Sequence, residues 1–203
     1  MSDDKNSYHH GDLRNALLQA AAQQIREQGV DKLSLRAVAR AAGVSATAPY
    51  RHFEDKNRLL VALAVEGYQQ LREETAAAVD PTQSAAEGLI AVGLAYIEFA
   101  LRRPERYKLI FGPVIHERQA YPELQESGFA ALQVVVALAE RGIASDEFVD
   151  TDPFLIANSC WAKVHGIASL AIDGFYDCAP IPSQQQFFRE LLLLQLTGVV
   201  RSK

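Results

Sequence analysis

The stretch from Leu35 to Phe53, LRAVARAAGVSATAPYRHF, predicts two short helices joined by a tight turn. Val38 and Ala39 lie on the inner face of the first helix, and the small Ala39 allows the second helix to pack closely. Gly43 suits the left-handed backbone that commonly ends a helix, and Ser45 is a natural N-cap for the next one. This pattern is that of a helix-turn-helix.

The second helix of this stretch is short and protruding, and its outer face carries small, polar and basic side chains. Such a face suits the major groove of DNA. The residues on it are Thr47, Ala48, Tyr50, Arg51 and His52.

The composition describes a soluble globular protein. The chain has 203 residues, of which 49% are hydrophobic and 22% charged, enough for one large domain or two small ones. No apolar run reaches the roughly 18 residues of a membrane-spanning helix, and the polar start MSDDKNSYHH lacks the apolar stretch of a secretory signal. We therefore expect no membrane partner and a cytoplasmic location.

The charges are unevenly distributed along the chain, although the net charge is −5. Residues 1–60 contain nine Lys and Arg against seven Asp and Glu, together with three of the five histidines. Residues 61–203 contain eleven basic against eighteen acidic residues. Only the amino-terminal third can face phosphates without long-range repulsion. This excess is small, so the DNA-binding hypothesis depends on the helix-turn-helix pattern.

Every strong periodicity is helical, which predicts an all-α protein of about nine helices. They form a three-helix head with the helix-turn-helix, a connecting helix and a C-terminal bundle of about five helices. We predict a DNA-binding domain over 1–55, and a connecting helix with a ligand-binding and dimerisation domain over 56–203. Apart from the two helices of the motif, the predicted helices span about 11–28, 56–79, 84–103, 104–111, 122–141, 153–173 and 183–200, with Pro or Gly at many of their boundaries.

The last two predicted helices are apolar on more than one face. Their sequences are PFLIANSCWAKVHGIASLAI and FFRELLLLQLTGVV. Such helices need a second surface to bury. A homodimer that packs this pair against its symmetry mate provides one, and central burial within the bundle is the alternative.

Three amino-terminal segments resemble the TetR family of bacterial transcriptional regulators: YHHGDLRNALLQAA, LSLRAVARAAGVS and PYRHFEDKNRLL. The match covers about residues 8–64. The tail segment WAKVHG, residues 161–166, is similar to a W-x-x-H-G-like signature in one branch of TetR carboxy-terminal domains. One departure is Pro49, which stands where many members have leucine and bends the start of the recognition helix by restricting Ala48.

The resemblance implies separate roles for the residues of the head, because phosphate contacts position a protein on DNA and base contacts specify sequence. Tyr50, His52 and Lys56 are expected at phosphates, and Arg36 is a further phosphate candidate. Phe53 is expected in the core. The candidates for base edges are Ser45, Ala46, Thr47, Ala48 and Arg51.

The tail implies a sensing domain with an apolar cavity. Trp161 and His165 share a helix face, and His165 or Tyr107 can hydrogen-bond an apolar or aromatic effector. Ordinary core packing is the alternative for each aromatic. The candidate ligand-binding residues are Tyr96, Phe99, Tyr107, Phe111, Phe129, Trp161 and His165.

The remaining chemistry-bearing residues predict neither a metal site nor a cofactor. His9 and His10 precede the first predicted helix and are either a DNA-contacting arm or part of a mobile terminus. Cys160 and Cys178 are predicted as buried thiols, with a disulfide as the alternative. Because Cys160 and His165 point about 140° apart on a helix, they cannot form a local nucleophile and base pair, and we expect no enzyme activity.

These observations predict a ligand-responsive transcriptional regulator, and the resemblance to the TetR family implies a repressor. It binds a palindromic DNA operator as a homodimer and is released by a small apolar or aromatic effector. The alternative is a helical ligand-binding or interaction protein that does not bind DNA.

Overall fold

The computed structural model describes residues 4–177 and 183–200, with side chains described for 13–177, 183–194 and 196–200. These residues form eight α-helices, which confirms the predicted all-α class. An isolated antiparallel bridge pairs Phe148 with Val200. The helices are α1 (Asp4–Gln28), α2 (Leu35–Ala41), α3 (Lys56–Ala77), α4 (Ala85–Arg102), α5 (Pro104–Phe111), α6 (Pro122–Ala144), α7 (Pro153–Ile172) and α8 (Gln184–Gln195).

Local side-chain caps begin several of these helices. Ser34 Oγ accepts a hydrogen bond from the Ala37 amide at the start of α2. Ser84 and Glu87 form a reciprocal capping box at the start of α4. Asp152 caps α7, whose first residue is proline. Because these caps satisfy amides that have no partner within the helix, they fix the starting residues locally.

Several boundaries differ from the predicted ones. Helix α1 begins at Asp4, so Gly11 lies inside it and does not mark its start. Helix α6 continues to Ala144, and α8 ends at Gln195, where a 3₁₀ turn takes over. A glycine costs about 1 kcal/mol within a helix, and neighbouring good helix formers can compensate for that loss.

The chain forms two compact units. The first contains residues up to 67 together with 105–125, and the second contains the remainder. Helices α3 and α6 each contribute to both. The first unit buries Leu17, Leu18, Val38, Leu59, Leu63 and Ile110. In the second, α4 packs on α7 and α8, and the fully buried side chains include Ile97, Phe99, Phe148 and Leu192.

Helix α6 has an unusually apolar sequence for its degree of burial. By length and composition alone it is long and apolar enough to cross a membrane, with a mean hydropathy of 1.3 over the relevant window. Of that window, 22% is buried. This finding corrects the expectation that no apolar run is long enough to span a membrane; Gln133, Glu140 and Arg141 interrupt the apolar residues of this helix. One such helix is weak evidence for a membrane span.

The turn after α2 has the backbone that the sequence predicts. Gly43 has φ 69°, in the left-handed region. The Val44 amide donates to the Ala39 carbonyl at 3.0 Å, and the Gly43 amide donates to the Arg40 carbonyl at 3.2 Å. These two bonds form a Schellman motif, which satisfies carbonyls at the end of the helix and turns the chain sharply.

We expect Gly43→Ala to lower the free energy of unfolding by about 1 kcal/mol, because a Cβ is unfavourable at positive φ. A Cβ at this position meets no atom within 4 Å, so a steric clash adds nothing to the loss. Urea denaturation measures the change. Gly43→Asn is the matched control and should lose less, since asparagine tolerates this conformation better. Equal stability of all three proteins would contradict the prediction.

Candidate functional site

The segment after the Gly43 turn is a 3₁₀ turn, Ala48–Arg51, where the sequence predicted a short α-helix. Pro49 has no amide proton and therefore cannot donate to the Ser45 carbonyl, the bond that an α-helix requires. The Ala48 amide bonds to that carbonyl at 3.0 Å, and the His52 amide bonds to the Pro49 carbonyl at 2.9 Å. Both bonds span three residues, as a 3₁₀ turn requires.

Ser45 does not have the capping role predicted for it. Its Oγ lies 3.3 Å from the Thr47 hydroxyl, and no side chain caps the 3₁₀ turn. The prediction assumed an α-helix that begins directly after Ser45, whereas the 3₁₀ turn begins at Ala48 and has Thr47 at its N-cap position. Ser45 and Thr47 therefore form a pair of exposed hydroxyls beside the turn.

Most of the predicted DNA-contacting side chains are exposed to solvent. Tyr50, the largest, is 51% exposed. Ala48 and His52 are half-buried, and His52 Nε2 is shielded from solvent. A phosphate contact by His52 would therefore have to use Nδ1. The exposed members are Arg36, Ser45, Ala46, Thr47, Tyr50 and Arg51.

Lys56, the predicted phosphate contact at the start of α3, already has partners within the chain. Its Nζ donates to the Val30 carbonyl at 2.8 Å and is 3.4 Å from the Asp31 carbonyl. Val30 and Asp31 belong to the 3₁₀ turn that follows α1. An ammonium group has three protons, so these two contacts leave one for a phosphate. Lys56 therefore also ties α3 to the turn after α1.

Phe53 is buried, with 3% of its surface exposed, and the Arg14 guanidinium of α1 lies 5.6 Å from its ring centroid. This placement confirms the prediction that Phe53 belongs to the core. Pro49 is also buried. Because Pro49 and Phe53 flank Tyr50 and Arg51, the turn has an inner apolar side and an outer polar side.

A polar network at the start of α3 was not predicted. Asn57 Nδ2 donates to Tyr121 Oη at 2.8 Å, and the Arg58 guanidinium lies 4.6 Å from the Tyr121 ring centroid. Arg58 also pairs with Glu123 at 3.0 Å. These residues hold the segment next to Lys56 in place. Their separation of more than sixty positions leaves no local sequence signal.

Three of the predicted effector residues meet in the second unit. The Tyr96 hydroxyl lies 3.1 Å from His165 Nδ1 and accepts a hydrogen bond from Trp161 Nε1 at 3.4 Å. Tyr96 lies on α4 and the other two on α7. Burial lowers the pKa of His165 below its usual value. The imidazole is therefore neutral at pH 7.

The other four predicted effector residues have different surroundings. Phe129 of α6 is exposed and packs 6.2 Å from Phe154 of α7, measured between ring centroids. Phe99 is fully buried. Tyr107 and Phe111 belong to the first unit, where their ring centroids are 4.9 Å apart.

Phe154 is an aromatic residue beside the predicted site that the sequence analysis did not single out. It lies seven residues before Trp161, two helical turns away on the same side of α7. This seven-residue spacing is the sequence feature from which Phe154 could have been predicted to lie beside Trp161.

The part of the chain that the structure describes contains no group of His, Cys, Asp and Glu suited to a metal ion. Cys160 is buried and reduced, in agreement with the prediction for it. The predictions for Cys178 and for the side chains of His9 and His10 fall outside the described residues.

Both parts of the chain match family models. Residues 17–63 match the bacterial regulatory proteins of the tetR family, and residues 89–194 match the tetracyclin repressor-like C-terminal domain. HTH-type transcriptional regulators of Mycobacterium tuberculosis and Mycobacterium bovis are 30% identical over 141 residues. That alignment spans 67% of this chain and 59% of those relatives, so it leaves over a third of their length unmatched.

Solved structures share the whole architecture. A protein of unknown function from Rhodococcus sp. RHA1 is 35% identical, with a TM-score of 0.83 over 96% of this chain and 98% of that one. A TetR family transcription regulator from Marinobacter aquaeolei VT8 is 18% identical, with a TM-score of 0.72 over 97% and 100% of the two chains, and supports the fold alone.

The matched family consists of regulators, which confirms the prediction that the chain is not an enzyme. Its C-terminal model covers just over half of the sequence and its N-terminal model covers the helix-turn-helix. The chain belongs to the TetR family of bacterial transcriptional regulators.

Proposed function

We propose that this regulator is a cytoplasmic repressor that binds a palindromic operator as a homodimer and releases it when a small apolar or aromatic effector binds. The observation that carries the proposal is the exposed turn Ala48–Arg51. It follows a Schellman corner, rests on the buried Pro49 and Phe53, and directs Tyr50 and Arg51 toward solvent. A polar face on a buried apolar support is what DNA recognition requires.

The exposed side chains divide by chemistry into two proposed sets. Tyr50, Lys56 and Arg36 donate hydrogen bonds or carry positive charge, which suits phosphate oxygens. His52 joins them through Nδ1. The second set is proposed to contact base edges. In it, Thr47 or Ala48 contacts a thymine methyl group and Arg51 contacts guanine. Ser45 and Ala46 complete this set.

The proposed homodimer is supported by uncovered apolar side chains on α7 and α8. Leu155 and Leu194, for example, are 62% and 67% exposed. A soluble chain needs a partner surface for apolar residues on this scale. Others on the two helices are Phe154, Leu170 and Leu193.

Gly166 gives a second argument for a dimer through α7. A Cβ at this position meets no atom within 4 Å, so packing within one chain does not require glycine. Glycine within a helix costs about 1 kcal/mol relative to alanine. A glycine at this position would be useful if the α7 of a second copy approaches closely here, since a side chain would block that approach. The neighbouring Ala162 and Ser169 are also small. The dimer also presents two recognition turns, as a palindromic operator requires.

Effector release follows from a preference of the effector for a dimer geometry in which the two turns no longer match the operator. Going from mostly bound to mostly free requires about 5.5 kcal/mol of preference between the two geometries. The proposed effector residues are the Tyr96, Trp161 and His165 cluster. The other four predicted aromatics stay candidates on the strength of their sequence pattern.

A DNA-binding measurement tests the proposal. The probes are the duplex upstream of the chain's own gene and a scrambled duplex of the same length, titrated at several salt concentrations. We expect tighter binding to the first. Lys56→Ala should weaken binding to both and reduce the slope of log affinity against log salt by about 1, because one phosphate contact is lost.

Arg72→Ala is the charge-matched control for Lys56→Ala. Arg72 is exposed and lies on α3 sixteen residues further on, roughly 24 Å along the helix. It should leave affinity and slope unchanged. Circular dichroism checks that Lys56→Ala still folds without its contact to Val30. An unchanged slope in folded Lys56→Ala would remove Lys56 from the phosphate set, and no binding to either duplex would favour the interaction-protein alternative.

Light scattering coupled to size exclusion tests the dimer. We expect Gly166→Leu to shift the protein to monomer while its helicity is retained, because leucine is a good helix former but blocks close approach by a second helix. Ala76→Leu, at an exposed position of α3, makes a similar helix-surface change elsewhere and should stay dimeric. A dimeric Gly166→Leu protein would exclude α7 packing at this position.

A further inference from the structure

Four consecutive residues hold the start of α3 in place. Asp55 Oδ1 accepts a hydrogen bond from the Arg58 amide at 2.7 Å, as an N-cap carboxylate does. The next three side chains reach other parts of the first unit. Lys56 bonds to the turn after α1, and Asn57 and Arg58 contact residues 116–123, which we call the brace segment. The partners of Asn57 in this segment lie 59 and 64 positions beyond it in sequence.

The Asn57 side chain is the main link to the brace segment. Its Nδ2 donates to Tyr121 Oη at 2.8 Å and to the His116 carbonyl at 3.3 Å, and its Oδ1 accepts from the His116 amide at 3.3 Å. Both amide protons and the carbonyl oxygen therefore have partners, which the group satisfies together in only one orientation. The side chain thus fixes the start of α3 against the brace segment.

Arg58 adds a second link to the same segment. Its Nη1 lies 3.0 Å from Glu123 Oε1, and its guanidinium lies 4.6 Å from the Tyr121 ring centroid. The side chains of Arg58 and Glu123 are both nearly half exposed, and exposed ion pairs contribute little because water screens them. The bond between Asn57 and Tyr121 is partly buried. The hydrogen bonds of Asn57 are therefore the stronger link.

Lys56 is held on a different side from Asn57. Its ammonium group bonds to the Val30 carbonyl at 2.8 Å, whereas the next residue bonds to the brace segment. Adjacent residues of a helix point about 100° apart, so the two side chains reach different neighbours. The first turn of a helix frays readily, because its amides have no partners within the helix. Loss of the Asn57 bonds would let this turn shift, and the Lys56 ammonium with it.

We propose that Asn57 is a positioning residue for DNA binding: through the brace segment it fixes the start of α3, and thereby holds the Lys56 ammonium at a DNA phosphate. The inference rests on the proposed function, because it concerns how the proposed phosphate contact is held. Both amide protons of Asn57 are used within the chain, so it acts through Lys56 and not by touching DNA. DNA affinity then depends on residues far from the helix-turn-helix in sequence.

A double-mutant cycle on the full chain tests this role. Affinity for the duplex upstream of the chain's own gene is measured for the unaltered protein, Asn57→Ala, Lys56→Ala and the protein with both changes. We expect Asn57→Ala to weaken binding about 5-fold, and the doubly altered protein to bind as Lys56→Ala does. Once the ammonium is absent, its position no longer matters. A residue that only stabilises the fold would instead give two losses that multiply.

Tyr121→Phe is a milder variant of the same link. It removes one hydrogen bond to Asn57 and retains the ring beside Arg58. We expect a loss of about 3-fold that disappears in the Lys56→Ala background. Gln69→Ala is the matched control, because it removes an exposed side-chain amide from α3 roughly 18 Å further along the helix. It should change the affinity in neither background.

Two results would overturn the proposal: losses that multiply in the doubly altered proteins, or unchanged affinity in both Asn57→Ala and Tyr121→Phe. Circular dichroism checks that each variant is folded, and the Tyr121→Phe cycle decides the matter if Asn57→Ala is not. Either result, with DNA binding by the unaltered protein, would refute the positioning role alone. Failure of the unaltered protein to bind either duplex would refute the proposed function itself.

Discussion

The left-handed turn at Gly43 is the constraint on which the amino-terminal site depends. Two backbone hydrogen bonds close this turn and fix the direction in which the chain leaves α2. Pro49 and Phe53 can then be buried together while Tyr50 and Arg51 between them stay in water. A different backbone at residue 43 would redirect the whole segment, because each later residue takes its orientation from the corner.

The head and the tail achieve their polar surfaces by different means. In the head, polar side chains project from a tight turn whose hydrogen bonds are satisfied by its own backbone. In the tail, the polar atoms of Tyr96 and His165 satisfy one another across two helices, and Trp161 adds a donor from the edge. The polar side chains of the head are exposed to water, whereas the polar atoms of the tail cluster bond to one another. This difference is consistent with the two proposed partners, DNA for the head and an apolar effector for the tail.

Helix boundaries that are set by residues close in sequence could be predicted. Helices α4, α5 and α7 begin within a residue of the predicted positions. Ser84 accepts a hydrogen bond from the Glu87 amide, and Pro104 and Pro153 each have a fixed φ that suits the first residue of a helix. The sequence predicted that Pro49 bends the start of the recognition helix. It did not predict the hydrogen bonds that make this segment a 3₁₀ turn. Tyr96 and His165 were both predicted as effector-binding candidates, but the contact between them was not predicted. It joins residues 69 positions apart and depends on how α4 packs against α7.

The shortness of the Ala48–Arg51 turn sets how much sequence one copy of the proposed regulator can distinguish. Four residues, one of them a buried proline, offer few atoms to base edges, and each mismatch costs only about 1–3 kcal/mol. A stretch specified so sparsely recurs many times by chance in a bacterial chromosome. A site that is rare in the genome then requires two such stretches at a fixed spacing. Selectivity in the proposed regulator therefore comes from the two copies of the dimer together and not from one copy alone.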